Sequence, residues 1–178
     1  MHIVIGLLGT IITILILLNR LAEAGIDLGG LNPFLWNRRR KWKNQYNGDP
    51  IFKLSKPIDI TALLMVGVAK SDGDMSSEEK KIILDMFQSE FHLSKREASE
   101  LMIASVYLLK DGSDLRSNLI KILSPSQPNF TEEQSSSAIS LIQRVSNIDT
   151  TTNENKSELV SKIVGQLTLA SKESGKWQ

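Results

Sequence analysis

Four carboxylates form the clearest chemical pattern in this sequence. Asp72, Asp74 and Glu78 lie within one seven-residue stretch, and Asp149 lies in a second acidic loop further along the chain. Carboxylate oxygens are the hard ligands that Ca²⁺ and Mg²⁺ prefer. One hypothesis is therefore a weak divalent-metal site built from these four residues, provided that the two loops face each other. We expect no other cofactor.

The first acidic loop, DGDMSSEE from residue 72, matches only the second half of a calcium-binding EF-hand. When Gly73 is aligned with loop position six, Glu79 falls at position twelve, but positions one and three become Val68 and Lys70. Calcium needs six to eight oxygens, and neither of these residues supplies one, so a high-affinity EF-hand is excluded. A structural reading stays open, in which the Asp-Gly pair forms a turn and the following serine and glutamates cap a helix.

The residue types that catalysis needs are scarce. The 178 residues include no Cys and only two His, His2 and His92. This composition excludes disulfide scaffolds, thiolate nucleophiles and His-rich or Cys-ligated metal sites. No glycine-rich phosphate loop occurs, and no nucleophile, base and orienting group can be named together. The formal net charge of +1 is too small to indicate nucleic-acid binding by the chain as a whole. We therefore predict that the protein is not an enzyme and binds no nucleic acid.

The elements that position the acidic loops are predicted to be helices. From Pro57 onward apolar residues recur at helical spacing and strand-like alternation is scarce. Capping boxes at Ser76, Ser94 and Thr131 mark three helix starts, each with Glu or Gln three residues later. The prediction is an all-α fold, with an antiparallel bundle of about six helices over residues 57–171 and a tail at 172–178.

A faint internal repeat relates the two halves of this domain. An offset of 77 residues aligns the block Val68–Asp72 with the block Val145–Asp149 and places Ser76 on Asn153. Each half then consists of a helix, a loop that carries an Asp, and a capped helix.

The N-terminal segment is predicted to be a membrane anchor over residues 1–26. Ile3–Leu18 carries no charge and would rise roughly 24 Å as a helix. A buried soluble helix is one alternative. A cleaved signal peptide is another, although no Lys or Arg precedes the apolar run. Small residues spaced four apart would let a second transmembrane helix approach closely; they are Gly6, Gly9, Thr10 and Thr13.

A basic and aromatic segment follows, and residues 27–56 are predicted to be juxtamembrane. Trp favours the headgroup layer, and Lys and Arg bind anionic lipid. The predicted interfacial residues are Trp36, Arg38, Arg39, Arg40, Lys41, Trp42 and Lys43. Alternatively, the basic run only sets the topology. The positive-inside rule places the N-terminus outside and the C-terminal domain in the cytoplasm, with a single pass through the bacterial inner membrane.

The block VGVAKSDGDMSSEEKKIILDMF, followed by FHLSKREASELM, resembles the TerB-like family over about residues 57–165. These all-helical modules are named for tellurite resistance and also occur in a membrane-anchored DnaJ-like co-chaperone. The resemblance implies a compact helical domain with acidic loops suspected of binding divalent metal or proteins, and no catalytic activity. The chain has no His-Pro-Asp tripeptide, so a J-domain function is excluded.

Two functions compete on this reading. The first is a membrane-anchored, non-catalytic interaction module, an accessory or assembly subunit of an integral membrane protein complex in the inner membrane. The second is a divalent-metal-binding stress-response protein like those of tellurite resistance.

Overall fold

The computed structural model describes residues 2–23, 50–109, 112–148 and 154–174. These ranges contain seven α-helices, two 3-10 helices and no strand, so the predicted all-α class is confirmed. The α-helices are α1 (His2–Glu23), α2 (Pro57–Ala69), α3 (Ser77–Glu90), α4 (Lys95–Leu108), α5 (Gly112–Leu123), α6 (Glu132–Ser146) and α7 (Glu154–Ser174), and the 3-10 helices are Pro50–Lys53 and Gln127–Asn129.

Three helices begin at the predicted capping boxes. At α3, the Ser76 hydroxyl accepts a hydrogen bond from the Glu79 backbone N–H at 3.1 Å. The Glu79 carboxylate in turn accepts one from the Ser76 N–H at 2.8 Å. The same reciprocal pair forms at Ser94 for α4 and at Thr131 for α6. These bonds satisfy backbone donors that the first helical turn leaves without partners, so the helix starts are fixed locally.

The core is built around α2. Every residue from Ile60 to Ala69 is buried, and α2 contacts α3, α4, α5, α6 and α7. The sequence predicts one apolar face on this helix, formed by Ile58, Ala62, Met65, Val66 and Ala69, but from Ile60 onward the structure buries all of its faces. A helix that is apolar on every side is stable only when it is covered on every side, and α2 meets that condition inside the domain.

One glycine allows a close helix approach in this core. The Leu115 side chain of α5 lies over Gly67 of α2, and a Cβ at that glycine would collide with it. Leu115 is fully buried, so it has little room to move away. The absence of a side chain at Gly67 therefore allows α5 to approach α2 this closely.

Helix α1 occupies the apolar N-terminal stretch and contacts α4. Most of its described side chains are exposed, and only Leu15 and Leu18 are half-buried. The predicted transmembrane span over residues 1–26 is not supported. In the described ranges no helix has both the length and the apolar character to cross a bilayer, whose core of about 30 Å needs about 20 apolar residues.

Candidate functional site

The acidic loop joins α2 to α3 and turns at Gly73. Gly73 has a φ of 144°, a backbone conformation that residues with a Cβ rarely adopt. Asp72 and Asp74 flank this glycine at the domain surface, where the Asp74 side chain is 99% exposed and that of Asp72 is largely covered. Met75 then enters the core and Ser76 caps α3. The loop therefore has the structural role in which the Asp-Gly pair forms a turn and Ser76 caps the following helix.

A buried ammonium group lies behind the loop. Lys156 of α7 has a side chain only 3% exposed, and its Nζ is 3.5 Å from Asp72 Oδ2 and 3.8 Å from Glu79 Oε1. The Glu79 side chain is 11% exposed and that of Asp72 is 23% exposed. A buried charge is tolerated only when it is paired, and Lys156 has two carboxylates. The chain thus supplies its own cation to the inner side of this loop.

Two further cations hold the loop from its flanks. Lys70 Nζ lies 3.3 Å from Asp74 Oδ1. Arg116 of α5 donates a hydrogen bond from Nη2 to the Ser71 carbonyl oxygen at 3.2 Å. Helices α5 and α7 are therefore both tied to the segment between α2 and α3. Because the Asp74 side chain is 99% exposed, its pair with Lys70 contributes little to stability, about 0–1 kcal/mol.

The predicted metal ligands are only partly brought together. Asp72 and Asp74 are each paired with a lysine, and Glu78 is exposed on the first turn of α3. Asp149 lies outside the described residues. Across the described ranges no group of three or more His, Asp or Glu side chains could hold a metal ion. The four-residue metal site stays a prediction, and Lys156 competes for one of its ligands.

Lys156 is the functional-site residue that sequence reasoning missed, although two signals point to it. It lies three residues before Leu159 on the stripe that continues with Ile163 and Leu167, all three of them buried. A lysine on the apolar stripe of a helix must find a buried partner. The 77-residue offset also places Lys156 at the position of Glu79, so the two halves carry opposite charges at equivalent positions.

The N-terminal site residues divide into two groups. Gly6, Gly9, Thr10 and Thr13 lie on exposed α1, and the two threonine hydroxyls donate to the backbone carbonyls of Leu7 and Gly9. An added Cβ at either glycine would meet nothing within 4 Å. Their packing against another helix stays a prediction. The interfacial residues Trp36, Arg38, Arg39, Arg40, Lys41, Trp42 and Lys43 lie outside the described residues.

Comparison with known proteins identifies the helical domain. No curated protein and no solved structure matches the chain significantly. Residues 59–177 match the family described as "Tellurite resistance protein TerB". The match begins in α2, includes the acidic loop and the Lys156 contacts, and extends beyond α7. Because it covers more than half of the sequence, the chain belongs to the TerB family.

Proposed function

We propose that this protein is a non-catalytic interaction module that is attached to the inner membrane through α1 and serves a membrane protein complex as an accessory or assembly subunit. The observation that carries the proposal is the exposure of α1. Seven of its large apolar side chains are 45–60% exposed. They are Leu7, Leu8, Ile11, Ile12, Ile14, Ile16 and Leu17.

The energy of this exposure argues for an apolar environment outside the chain. Full burial of one Leu or Ile side chain stabilises by about 1.5–3 kcal/mol, so covering the exposed halves of seven would contribute on the order of 7 kcal/mol. The exposed residues include neighbours in sequence, such as Ile11 and Ile12, so they lie on several sides of the helix. Lipid can cover every side of α1 that α4 leaves exposed, whereas one further protein surface covers a single stripe.

The sidedness that we propose rests on charge. Arg20 is exposed at the C-terminal end of α1, and the basic run from residue 38 to 43 follows it. Lys and Arg stay on the cytoplasmic side of a bacterial inner membrane and bind its anionic lipid. The helical domain then lies in the cytoplasm.

Fractionation of cells that produce the full chain tests the attachment. The wild-type protein should stay in the membrane pellet after an alkaline carbonate wash, and a variant without residues 2–23 should appear in the supernatant. Because the chain has no Cys, Ser136→Cys provides a single labelling site on the helical domain. A maleimide that cannot cross membranes should label Ser136→Cys only after lysis. Wild-type protein in the supernatant would overturn the attachment.

Purification of the tagged full chain in mild detergent tests the accessory role. A partner should co-purify in constant stoichiometry through two different chromatographic steps. The variant without residues 2–23, produced at the same level, separates partners that bind the helical domain from partners that need α1. A full chain that elutes as a pure monomer would contradict the accessory role without affecting the membrane result.

A second function, in tellurite resistance with divalent-metal binding, is favoured by membership of the TerB family. Tellurite tolerance should fall when the gene is deleted and return when the full chain is supplied. Calorimetric titration with Ca²⁺, Mg²⁺ and Zn²⁺ should then release or absorb heat, and the signal should weaken in Asp72→Asn. Unchanged tolerance and no heat at millimolar metal would remove this alternative.

A further inference from the structure

A groove lies between α5 and α7, and it shares Arg116 with the contacts that hold the acidic loop. It encloses about 1070 Å³, and its walls extend from Arg116 to Pro125 and from Ser161 to Leu169. The α7 wall rises roughly 12 Å, which is a little more than two helical turns. Two helical walls of this length suit an occupant that is itself a helix. The described ranges contain no strand, so they offer no sheet edge to which an extended peptide could add.

Large apolar side chains lie on both walls of the groove, among polar and charged residues. Ile120 is 65% exposed and Leu169 is 57% exposed, and they lie on opposite walls. Leu119 is buried beneath them and Phe52 is half-buried at one end. Large apolar side chains on two walls of one depression are more typical of a docking surface than a single exposed leucine.

The charges along the groove have one sign. Arg116, Lys121 and Lys162 line it, and no Asp or Glu does. Lys121 Nζ lies 4.2 Å from the centre of the Phe52 ring, a contact that keeps its positive charge. Glu154 and Glu158 line a neighbouring depression that shares Ser161 and Lys162 with the groove. Glu158 pairs with Lys162 at 2.7 Å, and this lysine holds the pKa of Glu158 below its usual range. The groove therefore retains an excess of positive charge.

A glycine in the middle of α7 lines this groove. Gly165 is exposed, and an added Cβ would meet nothing within 4 Å. Packing inside the domain therefore does not require glycine here, in contrast to Gly67. Glycine inside a helix destabilises it relative to alanine. A close approach of an occupant would explain why the position has no side chain.

We propose that this groove docks an acidic amphipathic helix of a partner protein. The apolar stripe of that helix would lie between Ile120 and Leu169, and its Asp and Glu side chains would face Arg116, Lys121 and Lys162. The proposal rests on the interaction role described above and specifies the partner's chemistry. Anionic lipid shares the charge, but a headgroup would not use the apolar walls.

Photo-crosslinking in cells tests the groove with the full chain. Benzoylphenylalanine replaces Ser117, an exposed residue on the groove wall, and in a control it replaces Ser140, an exposed residue of α6. The result we expect is a cross-link from position 117, and not from 140, to a segment with apolar residues at helical spacing flanked by Asp and Glu. Cross-links to lipid, to a second copy of this chain or to a segment without acidic residues would each overturn the proposal, as would none.

Matched variants decide whether the groove charges matter. The captured segment is synthesised and titrated against the wild-type chain, against K121E/K162E and against a control with the same charge change on α3, K80E/K81E. Charge reversal in the groove should weaken binding at least about tenfold, and the control should weaken it by less than about twofold. A peptide with Asn and Gln in place of its Asp and Glu residues should bind the wild-type chain more weakly by the same factor. Equal binding by both double variants would overturn the proposal.

Gly165→Ala separates docking from folding. Alanine should raise the unfolding temperature of the free protein, because it favours the helix, and should also weaken peptide binding by filling the groove. Unchanged binding by this variant would show that the close approach is absent. If the wild-type chain co-purifies a partner that K121E/K162E also retains, the interaction role stands and the proposal that the partner docks in this groove is wrong. If the wild type recovers no partner, the interaction role itself fails.

Discussion

Helices α1 and α2 are both apolar on nearly every side, yet they lie in opposite environments. In α2, every residue from Ile60 to Ala69 is buried beneath five other helices. In α1, the large apolar side chains from Leu7 to Leu17 are mostly about half exposed, and among the described helices its main contact is with α4. Both glycines of α1 have open space around them, whereas Gly67 of α2 lies beneath Leu115.

The difference shows that an apolar sequence indicates that a helix must be shielded from water, but not which surface shields it. Apolar side chains gain free energy when they leave water, whatever surrounds them afterwards. Within the described ranges, α2 is covered by its own domain and α1 is largely uncovered. The proposed membrane attachment supplies the missing cover for α1. If the two helices depend on different surroundings, equivalent substitutions in them should have different effects.

A buried charge should produce the largest difference between the two helices. Val66→Asp places a carboxylate in the fully buried centre of α2, where it has no partner, and should reduce the free energy of unfolding by about 4 kcal/mol or more. Ile12→Asp on α1 should leave domain unfolding unchanged and weaken retention in the membrane pellet. Urea unfolding followed by circular dichroism checks the first result, and carbonate extraction checks the second. A stable Val66→Asp domain would contradict the role of α2 as the centre of the core.

Removal of the buried ammonium should produce the next largest effect. Lys156→Met leaves Asp72 and Glu79 without their cation and should reduce the free energy of unfolding by about 2–4 kcal/mol, since loss of one partner of a buried pair is costly. The measurement is urea unfolding at pH 7. Adding Glu79→Gln should recover part of the loss, and a double-mutant cycle gives the coupling. If the losses of unfolding free energy are strictly additive, Lys156 acts through packing alone. The ion pairs with Asp72 and Glu79 would then not help to hold α7 against α2.

Alanine at glycine should separate the two helices again, with a smaller effect. Gly67→Ala forces a Cβ against the buried Leu115 side chain and should destabilise the domain by about 1–3 kcal/mol. Gly9→Ala in α1 meets open space and should not change domain unfolding. Thermal unfolding of both variants checks the difference. Adding Leu115→Val to Gly67→Ala should restore part of the stability, and no recovery would place the strain elsewhere.

The smallest expected effect concerns a position outside both helices. His92 follows α3 with a φ of 54° and is exposed. Glycine adopts this left-handed conformation without the steric penalty of a Cβ, so His92→Gly should stabilise the domain by about 0.5–1 kcal/mol. The same urea assay measures it, with His92→Ala as the matched control that should not stabilise. A gain in both variants would point to the imidazole rather than the backbone.

Local structure was readable from the sequence because its causes are local. The capping boxes at Ser76, Ser94 and Thr131 form hydrogen bonds within four residues, so neither their formation nor the helix starts depend on the rest of the chain. The all-α class follows for the same reason, since apolar spacing of three and four residues is a property of each segment. The Asp-Gly turn before α3 is also local, and Gly73 adopts the positive φ that such a turn permits.

The tertiary structure alone decided which residues these helices bring together. The sequence indicates one buried face for α2, but five surrounding helices bury all of them. The pairing of Lys156 with Asp72 and Glu79 joins residues about eighty positions apart, and no local pattern gives that distance. The groove between α5 and α7 likewise depends on how two helices pack. Hydrogen bonds within one turn are set by neighbours in sequence, whereas burial and ion pairing are set by neighbours in space, which only the packed chain defines.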